Sequence, residues 1–456
     1  MEFYPEEKEE IPPFWIRFKK RLGNARPTRI ILLGYIAVIL LGALLLLLPQ
    51  MVNPGNQLSP LDALFTSTSA ICVTGLIVVD TATFFSFWGQ LTILILLQIG
   101  GLGYMTMTTL IALVLGRKIE YRDRLALKES FTLEAAGGVV RFVLTIVKYT
   151  LVIEGVGAVI LCLRFLRYFP WQKALFAGVF HSISAFCNAG FSVFSNSLED
   201  FVRDPVVNFT VMCLIIAGGI GFIVLKELLE KGRLTSLHSK VVITVTLFLI
   251  GLSAFLFAIF EWNNPQSIAF LEWPDKIMAS LFQAITPRTA GFNTIPIANL
   301  QPATVFMLLF LMFVGASPGG TGGGIKTTAF ALIWGVAKAV IAGKEKVNLF
   351  HRRVPQYIVF RAIALAELAL VLVGGISILM LLFQPGDPLD ILFEVFSAYG
   401  TVGLSRGITG ELLNLSKFLI IITMYVGKVG LFTIIMYRIA GEQKDLIAYP
   451  EEKISI

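Results

Sequence analysis

The chain has 456 residues, 56% of them hydrophobic and 15% charged, with a net charge of +7 at neutral pH. Soluble domains carry about 25% charged residues, so the composition excludes an ordinary soluble enzyme and indicates an integral membrane protein. Four cysteines, Cys72, Cys162, Cys187 and Cys213, lie in or beside apolar segments and read as small buried side chains rather than a disulfide framework.

The first 28 residues are charged, and the apolar run after them is long enough to cross a bilayer, so no cleavable signal peptide is expected. A crossing helix needs about 20 apolar residues. Eight spans are predicted, at 29–50, 88–116, 139–165, 207–226, 239–262, 302–341, 356–383 and 414–440. Basic residues collect in alternate gaps: Arg17, Lys19, Lys20, Arg21, Arg26 and Arg29 before the first span; Arg117, Lys118, Arg122, Arg124 and Lys128 after the second; Lys226, Lys231, Arg233 and Lys240 after the fourth; Lys344, Lys346, Arg352 and Arg353 after the sixth. The positive-inside rule makes these gaps and both termini cytoplasmic and explains the basic excess without nucleic acid. Arg164, Arg167 and Lys173 are exceptions on the outer side.

The outer gaps hold four similar segments: Cys72-Val73-Thr74-Gly75-Leu76, Cys187-Asn188-Ala189-Gly190-Phe191, Arg288-Thr289-Ala290-Gly291-Phe292 and Gly400-Thr401-Val402-Gly403-Leu404. Each follows a short helix, too short to cross, announced by a proline and a Leu-Phe pair: Pro60 with Leu64-Phe65, Pro170 with Leu175-Phe176, Pro274 with Leu281-Phe282, and Pro388 with Leu392-Phe393. Proline suits the first position of a helix. Ser/Thr-rich stretches lead to each glycine, and the third repeat is one residue shorter there. The unit is therefore span, re-entrant short helix, glycine segment, span. Four such units predict an all-α membrane protein arranged pseudo-fourfold around one pore. Non-helical backbone is tolerated at membrane depth where it lines a wet cavity. Helix C-termini are partially negative, and backbone carbonyls can replace the hydration shell of a cation. The absence of a carboxylate ring favours a monovalent ion.

The predicted filter residues are Val73, Thr74, Gly75, Asn188, Ala189, Gly190, Thr289, Ala290, Gly291, Thr401, Val402 and Gly403. Arg288 is expected to point behind the filter and brace pore-helix carbonyls. Glu154 and Glu367 are expected to partner basic groups such as Lys148 or Arg361, and His181 is read as a hydrogen-bonding core residue.

A second set of glycines lies about 25–30 residues further on: Gly100-Gly101-Leu102-Gly103, Gly218-Gly219-Ile220-Gly221 and Gly427-Lys428-Val429-Gly430. In spans two and four close helix packing is the plain reading. Span six carries an enlarged version, Gly315-Ala316-Ser317-Pro318-Gly319-Gly320-Thr321-Gly322-Gly323-Gly324-Ile325-Lys326. A helix cannot readily pass Pro318 and these glycines, so an unwound loop below the filter is predicted, and it reads as a gate. It is not a phosphate-binding loop, because Lys326 is out of place and no strand precedes it. Lys428 stands where Gly101 and Gly219 stand. An ammonium at that depth costs about 2.5–3.5 kcal/mol, so it should face a wet cavity or a carboxylate and act as an electrostatic barrier. No metal-ligand spacing and no nucleophile–base arrangement is visible, so no enzymatic activity is expected.

These motifs, from about residue 29 to 440, resemble the Trk/Ktr/HKT superfamily of potassium transporters, and among them most the Ktr-type membrane subunits, which lack two extra N-terminal spans. The resemblance implies a K⁺-translocating subunit with Na⁺ as co-ion or activator, 315–326 as an intramembrane gating loop, and a homodimer in the plasma (inner) membrane. It also implies docking on a cytoplasmic ring of RCK-type regulatory subunits of the KtrA/TrkA kind. Nucleotide belongs to that partner, and no cofactor is expected on this chain. The family usually has Arg at the place of Lys428; Lys keeps the charge and loses the planar fork. Plant relatives that favour Na⁺ often carry Ser where this chain has Gly75. The implied divisions are a cytoplasmic segment 1–28, pore unit 29–116, linker and unit 117–226, linker and unit 227–342 with the loop, linker and unit 343–440, and a cytoplasmic tail 441–456. A Na⁺-selective or non-selective pore, or an alternating-access Na⁺/K⁺ symporter, are the alternatives.

Overall fold

A computed structural model describes residues 27–114, 124–125, 127 and 138–431. Arg17, Lys19, Lys20, Arg21, Arg26, Arg117, Lys118, Arg122, Lys128, the end of the last expected span and the tail 441–456 lie outside the described residues.

The described chain is built of helices α1 Pro27–Leu46, α2 Pro60–Ile71, α3 Phe87–Leu102, α4 Tyr104–Val114, α5 Val139–Phe165, α6 Trp171–Phe186, α7 Pro205–Gly219, α8 Phe222–Lys231, α9 Leu237–Glu261, α10 Trp273–Ile285, α11 Pro302–Phe313, α12 Thr327–Ile341, α13 Gln356–Phe383, α14 Pro388–Gly400 and α15 Asn414–Val429, besides a few single turns. A two-stranded hairpin, β1 Asn348–Leu349 and β2 Arg352–Arg353, lies between α12 and α13. Only α5, α9 and α13 are long and apolar enough to cross a membrane unbroken among the described residues. The other expected spans are shorter or come in pieces. α3 ends at Gly103 (φ 81°) and α15 at Gly430 (φ 87°). α7 and α8 meet at an angle of 106°, around Gly221 (φ 93°). Left-handed backbone is open to glycine at little steric cost, so the second set of glycines breaks these helices as well as packing them.

The short helices α2, α6, α10 and α14 are where the prolines and Leu-Phe pairs place them, with two adjustments. Pro60 and Pro388 open their helices, whereas Pro170 is the residue before α6 and Pro274 the second residue of α10. The first turn leaves several N–H groups without helical partners, so proline fits at any of these places. Ser59 and Asp387 cap α2 and α14 by accepting from Asp62 N and Leu389 N. The second adjustment concerns α6. Phe65, Phe282 and Phe393 are fully buried, and their counterpart in α6 is the fully buried Phe180. Phe176 lies one turn earlier and Leu175 is 51% exposed, because α6 has an extra turn at its start.

The packing is cyclic. α2 lies against α1 and α3, α6 against α5 and α7, α10 against α9, and α14 against α13 and α15. Each inner helix also touches the next short helix: α3 meets α6, α7 meets α10, α11 meets α14, and α15 returns to α2. A part-buried salt bridge, Lys417 Nζ to Asp62 Oδ1 at 2.7 Å, joins α15 to α2. Two of the outer-side basic exceptions have local partners. Arg164 is paired with Asp204, and Lys173 lies 4.5 Å over the Phe169 ring. Burial opposes ionisation of Asp204, but hydrogen bonds from Arg164 and Tyr168 outweigh it and hold the carboxyl below its usual range. Cys72 and Cys187 are buried as expected, Cys162 is half-buried, and Cys213 is exposed; all four are free thiols.

Candidate functional site

Each short helix runs straight into its glycine segment, and all four segments share one backbone pattern. Val73, Asn188, Thr289 and Thr401 have φ of 56°, 58°, 69° and 50°, and Gly75, Gly190, Gly291 and Gly403 have φ of 92°, 69°, 75° and 91°. Left-handed residues therefore alternate with ordinary ones. Alternation of hand turns successive carbonyls toward the same side of a strand instead of opposite sides. The non-glycine residues in this region each cost about 1–3 kcal/mol, and the same cost recurs at the same place four times.

Hydroxyl-bearing residues near the helix ends anchor the pattern. Thr74 N, Ala189 N and Val402 N donate to the carbonyls of Ser69, Ser184 and Ser397, each at 2.8 Å, and Ala290 N donates to Thr286 at 2.9 Å. The hydroxyls of Ser69 and Ser397 accept from Gly75 N and Gly403 N, and those of Ser184 and Thr286 donate to the carbonyls of Phe191 and Phe292. Thr286 stands one residue nearer its glycine than the three serines do, which is how the shortened third repeat keeps its anchor.

The four glycines close a ring. A Cβ on Gly75 would strike the Ala189 carbonyl oxygen, one on Gly190 the Ala290 oxygen at 2.9 Å, one on Gly291 the Val402 oxygen, and one on Gly403 the Thr74 oxygen. Each glycine thus faces a carbonyl of the next segment, in the order first, second, third, fourth, first. Thr74, Ala189 and Val402, and the left-handed residues before them, are fully buried. No carboxylate belongs to any of the four segments. Behind them, the first glycines of the inner set are close-packing positions, as read from the sequence for spans two and four and found also at Gly427. A Cβ on Gly100, Gly218 or Gly427 would strike the carbonyl of Ile71, Phe186 or Tyr399, near the end of a short helix.

The stretch 314–326 is non-helical between α11 and α12. It is stitched to its surroundings: Ser317 N donates to Gly219 O at 3.0 Å, Thr321 N to Gly218 O at 3.2 Å, and Phe222 N to Gly319 O at 3.0 Å. Gly323 N donates to Thr401 Oγ1 at 2.8 Å, and a Cβ on Gly322 would strike Thr289 Oγ1. The loop therefore touches two of the four segments and the break between α7 and α8. Gly315, Ala316, Pro318, Gly320 and Gly324 complete it. Lys326 Nζ donates to Gly322 O at 2.8 Å, and Lys428 Nζ to Thr321 O.

The partner the structure gives Lys428 is a loop carbonyl. Two side chains differ from expectation. Arg288 is buried, but its Nε has no hydrogen-bond partner among the described residues, so bracing of pore-helix carbonyls by that atom is not found. Glu154 accepts from the Gln98 amide at 3.1 Å and from the Cys187 thiol at 3.8 Å instead of pairing with Lys148. The sequence reading assigned no role to Thr401 as loop acceptor, nor to Glu394, which accepts from Ser405 and Thr409. His181 is a hydrogen-bonding core residue, as read.

Residues 29–449 match the family model TrkH, described as cation transport protein. The chain belongs to this family. It is 39% identical to the Ktr system potassium uptake protein B of Bacillus subtilis (strain 168) over 96% of this chain and 97% of that one. It is 36% identical to the potassium/sodium uptake protein NtpJ of Enterococcus hirae over 96% of this chain and 98% of that one. The crystal structure of the potassium transporter TrkH from Vibrio parahaemolyticus superposes with a TM-score of 0.73 at 18% identity, covering 94% of this chain and 86% of that one. The TrkH family membership and the apolar helices make this a multi-pass membrane protein of a transport family rather than an enzyme family.

Proposed function

We propose that the chain is the K⁺-translocating membrane subunit of a Ktr/Trk-type uptake system. Four units, divided as the sequence suggests, stand pseudo-fourfold about one pore with eight membrane-crossing stretches. The glycine segments form its filter, 315–326 its gate, and Lys428 an electrostatic barrier. The observation that carries this reading is the closed ring of Gly75, Gly190, Gly291 and Gly403 against the carbonyls of Ala189, Ala290, Val402 and Thr74. Carbonyls held rigidly in a ring can replace the water around a monovalent cation. The relatives' names supply potassium as the cargo. On the same reading the subunit is a homodimer in the cell membrane with cytoplasmic termini. It docks on an RCK-type ring that carries the nucleotide, and the chain itself holds no cofactor.

The test is ⁸⁶Rb⁺ uptake by purified protein in liposomes, with and without Na⁺. Saturable Rb⁺ uptake that exceeds ²²Na⁺ uptake is expected. Because the Enterococcus relative is named for sodium as well, a Na⁺-conducting pore is the second reading, and equal or larger ²²Na⁺ flux in the same assay would establish it instead. Stimulation of Rb⁺ uptake by Na⁺ would mark Na⁺ as activator or co-ion.

A further inference from the structure

Three residues before each anchoring hydroxyl, the short helices carry Thr66, His181, Gln283 and Glu394, all buried. These four are equivalent in position and very different in chemistry. Two of them grip the chain just beyond the filter glycine. His181 Nε2 lies 2.9 Å from Ser192 Oγ, and Glu394 Oε2 accepts from Ser405 Oγ at 2.9 Å. Ser192 and Ser405 each stand two residues past their glycine. Each hydroxyl then accepts a backbone N–H two residues further on, from Phe194 at 2.9 Å and from Gly407 at 3.0 Å. The two assemblies share this side chain–serine–backbone N–H chain around different side chains; beyond it, Ser192 Oγ also lies 3.3 Å from the Ser197 carbonyl and Ser405 Oγ also accepts from Thr409.

The other two positions do not grip. The residues two past Gly75 and Gly291 are Ile77 and Asn293. Asn293 Nδ2 turns away to Glu199 at 2.6 Å. Thr66 Oγ1 and both polar atoms of the Gln283 amide have no hydrogen-bond partner among the described residues. The ring order places the second and fourth segments opposite each other, so the bracing runs along one diagonal.

We infer that His181 and Glu394 are positioning residues that hold the outer ends of the second and fourth filter segments and thereby set ion selectivity. The inference rests on the pore reading above. Both residues are fully buried and act through a serine. The chemistry of each pair is compatible with a fixed strut. The Ala177 carbonyl, 2.7 Å from His181 Nδ1, can only accept, so Nδ1 carries the proton and Nε2 accepts from Ser192 while the ring is neutral. Phe165, Phe180, Phe194 and Phe292 surround that ring. Glu394 spends its second oxygen on Thr409, and its nearest acidic neighbour, Asp390, is paired with Arg406. A glycine whose φ is near 70–90° can relax to either hand, so a tether two residues away decides how firmly its carbonyl ring is held.

The experiment compares ⁸⁶Rb⁺ and ²²Na⁺ fluxes in liposomes for wild type and for Ser192→Ala, Ser405→Ala, Glu394→Ala, Glu394→Gln and Gln283→Leu. Glu394→Ala and each serine variant are expected to lower the Rb⁺/Na⁺ ratio roughly fivefold, the worth of one net hydrogen bond. Glu394→Gln should restore most of it, since the amide oxygen still accepts from Ser405, and Gln283→Leu should leave it unchanged. The serine variants remove a single oxygen each and leave the rest of the side chain in place, so the outcome does not depend on tolerance of the larger changes. Wild type that carries no Rb⁺ overturns the pore reading and this inference with it. Selective wild type with unchanged ratios in both serine variants overturns this inference alone, as does a Glu394→Gln variant no better than Glu394→Ala.

Discussion

Gly75 shows what the ring demands of a single residue. Its φ is 92°, and a Cβ there would meet the Ala189 carbonyl oxygen. Gly75→Ser therefore has to shift one segment relative to its neighbour, and lower Rb⁺ over Na⁺ preference is the expected result in the liposome assay. Unchanged preference would remove Gly75 from the filter. Lys428 is the second case. Its ammonium donates to the Thr321 carbonyl and so ties α15 to the loop; on the proposed reading it also places a charge beneath the ring. Lys428→Ala removes the charge and the tie, and a several-fold rise in Rb⁺ flux is expected; a flux equal to wild type would remove the barrier role. The fourfold glycine pattern was legible in the sequence because each glycine meets a local backbone requirement. The partner of Lys428 was not, since Thr321 is remote in the chain and only the fold brings it close.

At the scale of elements, the 314–326 loop is distinguished by where its hydrogen bonds go. Ser317 and Thr321 give their N–H groups to Gly219 and Gly218 of α7, and Gly323 gives its own to Thr401. Such a segment can block a path and still leave it at moderate cost, since net hydrogen bonds are worth about 0.5–1.5 kcal/mol each. Deleting several of the glycines 319–324 removes the stretch that crosses toward α7, and higher Rb⁺ flux from a protein that still elutes as wild type is expected. Unaltered or lower flux would argue that the loop is structural. The expectation of long inner spans missed the breaks at Gly103 and Gly221 for a definite reason. Glycines that pack closely and glycines that turn the backbone look alike in sequence, and these clusters contain both.

The whole molecule closes on itself through the contact of α15 with α2, and the Lys417–Asp62 pair sits at that closure. Both side chains are mostly buried, at 12% and 19% exposure, and removing one partner leaves the other poorly solvated. Lys417→Ala is expected to lower the thermal midpoint of the detergent-solubilised protein by several degrees, and Lys417→Ala with Asp62→Ala to recover part of the loss. Equal midpoints in all three would show that the closure does not depend on this pair.

Composition, the charged gaps and the repeated proline, phenylalanine and glycine positions determined by themselves that this is a helical membrane protein with four similar segments, each a short helix running into a glycine. They are local or periodic signals, and each follows from what a bilayer or a backbone allows. The tertiary structure alone decided that the four segments meet in a ring, that Thr286 replaces a serine in the shortened repeat, that Phe180 and not Phe176 is the counterpart of Phe65, and that His181 and Glu394 reach Ser192 and Ser405. Those facts depend on which residue of one helix lies opposite which residue of another. Packing settles that choice among many side chains of similar character, and no single stretch of sequence contains it.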